Sequence, residues 1–190
     1  ASIASYGDVP LVTSVANSTH DLAVTAGSVS FTTVTGSPAS VGPFTTATVS
    51  GDTAGPVAIV DARDIDAHPS GHPSDGLCLP GSLAAQSVAA KVVICSRGDN
   101  ARVNKGRVVR EAGGVGMILI DNTVGQSRPH DIHVLPTAHL SSSQGTTLRA
   151  ALAASPTTRA SIIGGSLTRD PDNADRLNAT SSRGPTRNQT

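Results

Sequence analysis

The chain is 190 residues long, room for one to one and a half ordinary domains, and its 14 basic and 14 acidic side chains cancel. Charged residues make up only 15% and are scattered, which argues against the basic stripe of a nucleic-acid binder or of a protein held to anionic lipid. No apolar run approaches the roughly twenty residues of a bilayer-crossing helix, and the first residues lack the basic-then-apolar pattern of a secretion signal. A soluble chain is expected, with neither nucleic acid nor membrane as a partner.

Tyr6, Phe31 and Phe44 are the whole aromatic inventory, so the core must be built from Val, Ile, Leu and Ala, while 19 Gly and 12 Pro predict many turns and long connections. In chain order, Leu11 to Ala16 reads as a short β-branched strand. From Thr19 to Gly55, alternation around Val29 to Val34 and Thr46 to Val49 predicts exposed hairpin strands, and Val57 to Val60 a cleaner buried strand. The stretch from Asp61 to Cys78 is polar, rich in Asp, His, Pro and Gly, and without periodicity. Val92 to Cys95 is a continuous apolar run short enough to be a strand buried on both faces. A helix follows, with Asp99 or Asn100 as its cap, Ala101, Val108, Val109 and Ala112 on one face, and Gly113 and Gly114 as its stop. Met117 to Ile120 then forms a second apolar strand, giving a strand–helix–strand unit with parallel strands. A further strand at Thr137 to Leu140, a cap at Ser141 to Ser143, an Ala/Leu helix to about Ala154 and a strand at Arg159 to Ile163 follow, before a polar connector from Gly164 to Asn178.

Chemistry-bearing patterns are few. Gly113, Gly114 and Gly116 close a helix and open a strand, the reverse of the order in which a phosphate loop presents free amides, so no nucleotide is expected. Asp61, Asp64, Asp66, His68, His72 and Asp75 form one acidic and imidazole cluster, and His130, Asp131, His133 and His139 another; neither spacing is that of a metal site, and both read as solvated polar loops, with His139 a packed strand histidine. Serine catalysis would announce itself by a nucleophile turn such as Gly-x-Ser-x-Gly, and none occurs. The two cysteines, Cys78 and Cys95, are compatible with a disulfide or with two inert thiols on composition alone.

Five motifs in order carry a resemblance: Cys78-Leu-Pro-Gly-Ser-Leu83, Lys91-Val-Val-Ile-Cys-Ser-Arg-Gly98, Asn100-Ala-Arg-Val-Asn-Lys-Gly106, Ala112-Gly-Gly-Val-Gly-Met-Ile-Leu119 and His133-Val-Leu-Pro-Thr-Ala-His139. Together they resemble the protease-associated domain of subtilisin-like serine proteases. The flanks Val12-Thr-Ser-Val-Ala-Asn-Ser-Thr-His-Asp21 and Ser181-Ser-Arg-Gly-Pro185 resemble the catalytic-domain segments that bracket this insert in such enzymes. The resemblance implies a β-rich mixed α/β fold, a curved sheet or open β-barrel with two packed helices, over residues 45–163. Residues 1–44 and 164–190 would be connectors to the catalytic domain, the expected partner.

It also implies a non-catalytic module of a secreted endopeptidase, modulating access of polypeptide substrates or protein contacts. The alternative is a stand-alone peptide- or protein-binding module. The family's catalytic motifs do not occur in these 190 residues, so no catalytic residue is assigned, and neither a metal nor a cofactor is expected. Ser70, Gly71 and His72 in one loop and Gly125, Gln126 and Arg128 in another are the candidate contact residues, and an uncovered sheet edge is a further place for a peptide to add as a strand. Because related domains carry cysteines at these positions and secreted proteases meet oxidising conditions, the resemblance implies a Cys78–Cys95 disulfide.

Overall fold

A computed structural model describes residues 21–33, 39, 41–65, 67, 76–174 and 176. The expected strand at Leu11 to Ala16 and the flanking subtilase-like segments, except Asp21, lie outside the described residues. Among the described residues, nine strands and two α-helices follow one another: β1 (Leu22–Thr25), β2 (Gly27–Thr32), β3 (Phe44–Thr46), β4 (Val57–Asp61), β5 (Val92–Ser96), α1 (Arg102–Glu111), β6 (Gly116–Ile120), β7 (Thr137–Leu140), α2 (Ser142–Ala154), β8 (Arg159–Ile163) and β9 (Ser166–Arg169).

The apolar runs Val92 to Cys95 in β5 and Met117 to Ile120 in β6 have no polar position to turn toward water, so both are stable only with both faces covered. Every residue of each is buried, and alternation assigns the side chains to two cores. Val92, Ile94, Ile118 and Ile120 join Val29, Phe31, Leu140 and Ile162 in one core, against which α2 sets Leu148. Val93, Cys95, Met117 and Leu119 point the other way and meet Val108 and Val109 of α1, and Ala112 just after it, in a second. The two strands are parallel, in register Val92 to Gly116 through Ser96 to Ile120, as the strand–helix–strand reading requires.

Around this nucleus the seven-stranded sheet runs β3-β2-β8-β4-β5-β6-β7, parallel from β4 to β7 and antiparallel through β8, β2 and β3. It is β-rich, mixed α/β and nearly closed. The terminal strands meet at a seam where the Thr48 hydroxyl donates to the Thr137 carbonyl and the Thr137 amide donates to Ser50 Oγ at 3.1 Å. Side-chain hydroxyls thus occupy the main-chain groups of Thr137 that an added peptide strand would need at this edge.

The chain divides into two compact units, Val24–Ser166 and the pair of segments Ala1–Ala23 and Leu167–Thr190. The larger unit begins ahead of residue 45 because β2 pairs with β8 in the middle of the sheet, in register Ser28 to Ile163. In the smaller unit Arg169 bridges Asp21 at 3.2 Å and the Asp170 amide donates to the Asp21 carbonyl at 2.7 Å.

Several local expectations differ from the structure. β2 is not an exposed hairpin strand: Val29 and Phe31 are buried in the first core, their burial supplied by a partner strand about 130 residues away in sequence. β4 is only half-buried from Val57 to Val60, since Ile59 and Val60 line a surface hollow. The polar connector after Gly164 contains β9, which forms a two-stranded ribbon with β1. α1 is capped by neither Asp99 nor Asn100, and its N-cap, Ala101, makes no side-chain capping bond. Asp99 is held in the left-handed region at φ 56° in a tight turn after Gly98, and Asn100 directs its amide to the Cys78 carbonyl at 3.5 Å.

By contrast α2 has a full capping box. Ser141 Oγ accepts from the Gln144 amide at 3.2 Å while Gln144 Oε1 accepts from the Ser141 amide at 2.9 Å. Gly145 then lets the helix approach β6, since a Cβ there would stand 2.2 Å from Ile120 Cγ2.

Candidate functional site

A parallel strand that ends in a polar residue delivers that residue to one rim of the sheet, and four adjacent strands here do so together. Asp61 ends β4, Ser96 ends β5, Asp121 follows β6 and Ser141 follows β7. The carboxyl ends of parallel strands are where α/β folds commonly place ligands. At this rim lies a crevice of about 380 Å³, bordered by Arg63, Ser96, Arg97, Asp121, Ser142 and Arg149. A neighbouring hollow of about 400 Å³ shares Arg63 and Arg149 with it.

Two aspartates organise the rim. Asp61 receives Arg149 Nε at 2.8 Å, Arg63 Nη2 at 3.0 Å and the Arg63 amide at 3.1 Å, while Arg149 Nη2 reaches Ser96 Oγ at 3.1 Å. Burial pushes the Asp61 carboxyl up, but the hydrogen bonds from Arg149 and Arg63 outweigh it and hold the group below the usual carboxylate range. Asp121, 2% exposed, accepts from Arg97 Nη1 at 3.1 Å, Arg128 Nη1 at 3.3 Å and His139 Nε2 at 2.9 Å. An ionised carboxylate only accepts, so it selects the His139 tautomer protonated on Nε2. Burial lowers the His139 pKa against the opposing pull of Asp121.

Of the candidate contact residues, Ser70, Gly71 and His72 lie outside the described residues. Gly125, at φ 80°, turns the other loop with open space around it. Gln126 closes that loop on itself, its Oε1 accepting from the Asn122 and Thr123 amides at 3.2 and 3.4 Å. Arg97 donates to the Ser127 carbonyl at 2.8 Å and Arg128 to Asp121, so the loop is tied to the rim.

The roles of Asp121, Arg97, Arg63 and Arg149 escape a reading by motif. The signal for Asp121 is its place directly after the apolar run Met117 to Ile120; Arg97 stands one residue further from its run, behind Ser96.

Asp131 pairs with Arg102 through two hydrogen bonds, which hold its carboxyl below the usual range. Among the described residues no group of three or more His, Cys, Asp and Glu side chains is placed to hold a metal ion. Nor does any described hydroxyl hydrogen-bond to an imidazole, the pairing that serine catalysis requires. The rim can therefore bind and orient a charged group; among the described residues it holds no nucleophile and base.

His133 is the other buried imidazole, 7% exposed, with neither ring nitrogen partnered among the described residues. Burial lowers its pKa to about 4, with Asp131 opposing and His139 and Arg102 assisting. The unfolded chain takes up this proton near the ordinary value of 6.5, so the stabilisation is fully present above that pH and is lost as pH falls toward 4. Between pH 7 and about pH 4.5 the loss is expected to be about 2 kcal/mol. Urea denaturation at both pH values checks it, and His133→Leu should flatten the difference.

A profile of the PA domain family matches residues 33–148. Among curated relatives, the chain is 39% identical over 119 residues to "Subtilisin-like protease SBT1.4" of Arabidopsis thaliana, covering 61% of this chain and 15% of that protein. It is 35% identical over 130 residues to "Subtilisin-like protease SBT5.4" of the same plant, covering 67% and 17%. The matched segment thus spans about a sixth of the length of these relatives. Among solved structures, "Aminopeptidase from Aneurinibacillus sp. strain AM-1" aligns with TM-score 0.47 at 16% identity, over 77% of this chain and 35% of that one.

The nearly closed seven-stranded sheet with a helix against each core defines a β-rich, mixed α/β fold. The chain belongs to the PA domain family, and its curated relatives are subtilisin-like proteases.

Proposed function

We propose that this chain is the non-catalytic protease-associated module of a secreted subtilisin-like serine endopeptidase, partnering the catalytic domain and shaping the access of polypeptide substrates. The observation that carries this reading is the PA-domain match on a segment whose described residues contain no hydroxyl–imidazole pair. The disulfide between Cys78 and Cys95 supports an extracellular setting, since such bridges persist under oxidising conditions. The loop at Gly125, Gln126 and Arg128, and the one at Ser70, Gly71 and His72, are the surfaces proposed to meet polypeptide. The purified 190-residue chain, immobilised and offered fluorescent casein, should retain it without cleaving it. Cleavage blocked by a serine-directed inhibitor, or absence of retention, would overturn the reading.

A further inference from the structure

The rim crevice has properties that the accessory role does not use. Three guanidiniums border it from three separate elements: Arg63 after β4, Arg97 after β5 and Arg149 on α2. Each is only partly engaged. Arg149 uses Nε and Nη2, Arg63 uses Nε and Nη2, and Arg97 uses Nη1 alone, shared between Asp121 and the Ser127 carbonyl. A guanidinium carries five N–H donors, so each side chain keeps nitrogens with no acceptor among the described residues. Their aspartate partners fix these arginines in place, which removes much of the side-chain entropy that binding would otherwise cost.

Charge selects the class of ligand. The guanidiniums of Arg63, Arg97, Arg128 and Arg149 meet two carboxylates, Asp61 and Asp121, a surplus of positive charge in a chain whose formal charge is zero. A positive surplus held on fixed, planar guanidiniums matches an anion that accepts bidentate hydrogen bonds, as a carboxylate does. Leu77 and Ile120 supply apolar wall for the methylenes that would carry such a group, and Thr146 faces them from the exposed side of α2.

We propose that this crevice binds the carboxylate of an acidic polypeptide segment through Arg63, Arg97 and Arg149. The inference rests on the polypeptide-contact reading above and assigns it a chemistry.

The test is an NMR titration of the 190-residue chain, following the Arg97 and Arg149 Nε–H signals and the Asn122 and Ser142 amides. Ac-Ala-Glu-Ala-NH2 offers a side-chain carboxylate, Ac-Ala-Ala-Ala a chain-end carboxylate, Ac-Ala-Gln-Ala-NH2 neither, and inorganic phosphate a dianion. Saturable shifts are expected with the carboxylate peptides and not with the Gln peptide; whichever of the two saturates first identifies side chain or chain end as the source. Affinity should fall roughly tenfold in Arg149→Met, the loss of one charged hydrogen-bond pair. It should fall similarly in Thr146→Glu, which supplies its own carboxylate from an exposed helix position and leaves every arginine in place.

Equal shifts with the Gln peptide, tighter binding of phosphate, unchanged affinity in both variants, or no shift at all would overturn the site. Casein retention with a silent Glu peptide would remove the carboxylate site and leave the accessory reading standing. Saturable Glu-peptide binding without casein retention would place the fault in that reading instead.

Discussion

Replacing Asp121 with Ala is expected to lower the unfolding free energy by about 3 kcal/mol, the lower end of what breaking a buried ion pair costs. The carboxylate is buried and serves three donors at once, from β7, from the turn after β5 and from its own loop. Without it, His139 Nε2 has no acceptor in a site that water does not reach, and the ring already leaves Nδ1 unpartnered. That orphaned donor alone accounts for about 1–3 kcal/mol. Arg97 and Arg128 are 19% and 39% exposed, so they recover part of their hydration, which keeps the loss from reaching the top of the range. Asp121→Ala combined with His139→Leu should cost less than the sum of the single changes, because the leucine removes the donor that Ala strands. The chain has no Trp and its one tyrosine is Tyr6, so urea denaturation is best followed by far-ultraviolet circular dichroism. An Asp121→Ala midpoint equal to that of the parent chain would refute the central place given to this carboxylate.

Removing the Cys78–Cys95 bridge by paired Ser substitutions is expected to cost a similar amount, about 3 kcal/mol for a loop of 17 residues in the chain-entropy account. For a domain of this size that corresponds to a fall in melting temperature of roughly 6–12 °C. The bridge joins β5 to a segment held by several other anchors. The Ser96 amide donates to the Gly76 carbonyl at 2.7 Å, Lys105 Nζ to the Leu77 carbonyl and Asn100 to the Cys78 carbonyl. Cys78 itself sits at φ 47°, a conformation that persists in a non-glycine residue only when its surroundings insist on it. The prediction is therefore a lower midpoint with the native circular dichroism spectrum retained. A reduced or doubly substituted chain that melts at the parent temperature would show that the remaining anchors suffice.

Legibility in the sequence follows the range of the interactions. β5 and β6 are legible because strands covered on both faces need unbroken apolar runs, and Val92-Val-Ile-Cys95 and Met117-Ile-Leu-Ile120 have no other solution in water. The α2 terminus is legible for a local reason, since Ser141 and Gln144 stand at the spacing at which each caps the other. The disulfide is legible only through the resemblance to subtilase inserts, and the two cysteines lie 5.7 Å apart at Cα. β2 reads as exposed because Val29 and Phe31 alternate with polar residues in the same way whether the apolar face is covered or bare. The α1 cap departs from expectation for a similar cause: Asp99 and Asn100 are good capping residues, but the turn after Gly98 and the Cys78 carbonyl claim them first.

What the chain determined by its order of residues is the nucleus: two apolar strands, the helix between them and the capped helix beyond, each specified by contacts within a few turns of itself. Tertiary structure alone decided the charged rim. Arg149 meets Asp61 across 88 positions and Arg97 meets Asp121 across 24, and no local propensity encodes pairs so far apart. Only the parallel register of β4 to β7 brings their carboxyl ends level, so that scattered, formally balanced charges become two buried carboxylates ringed by arginines.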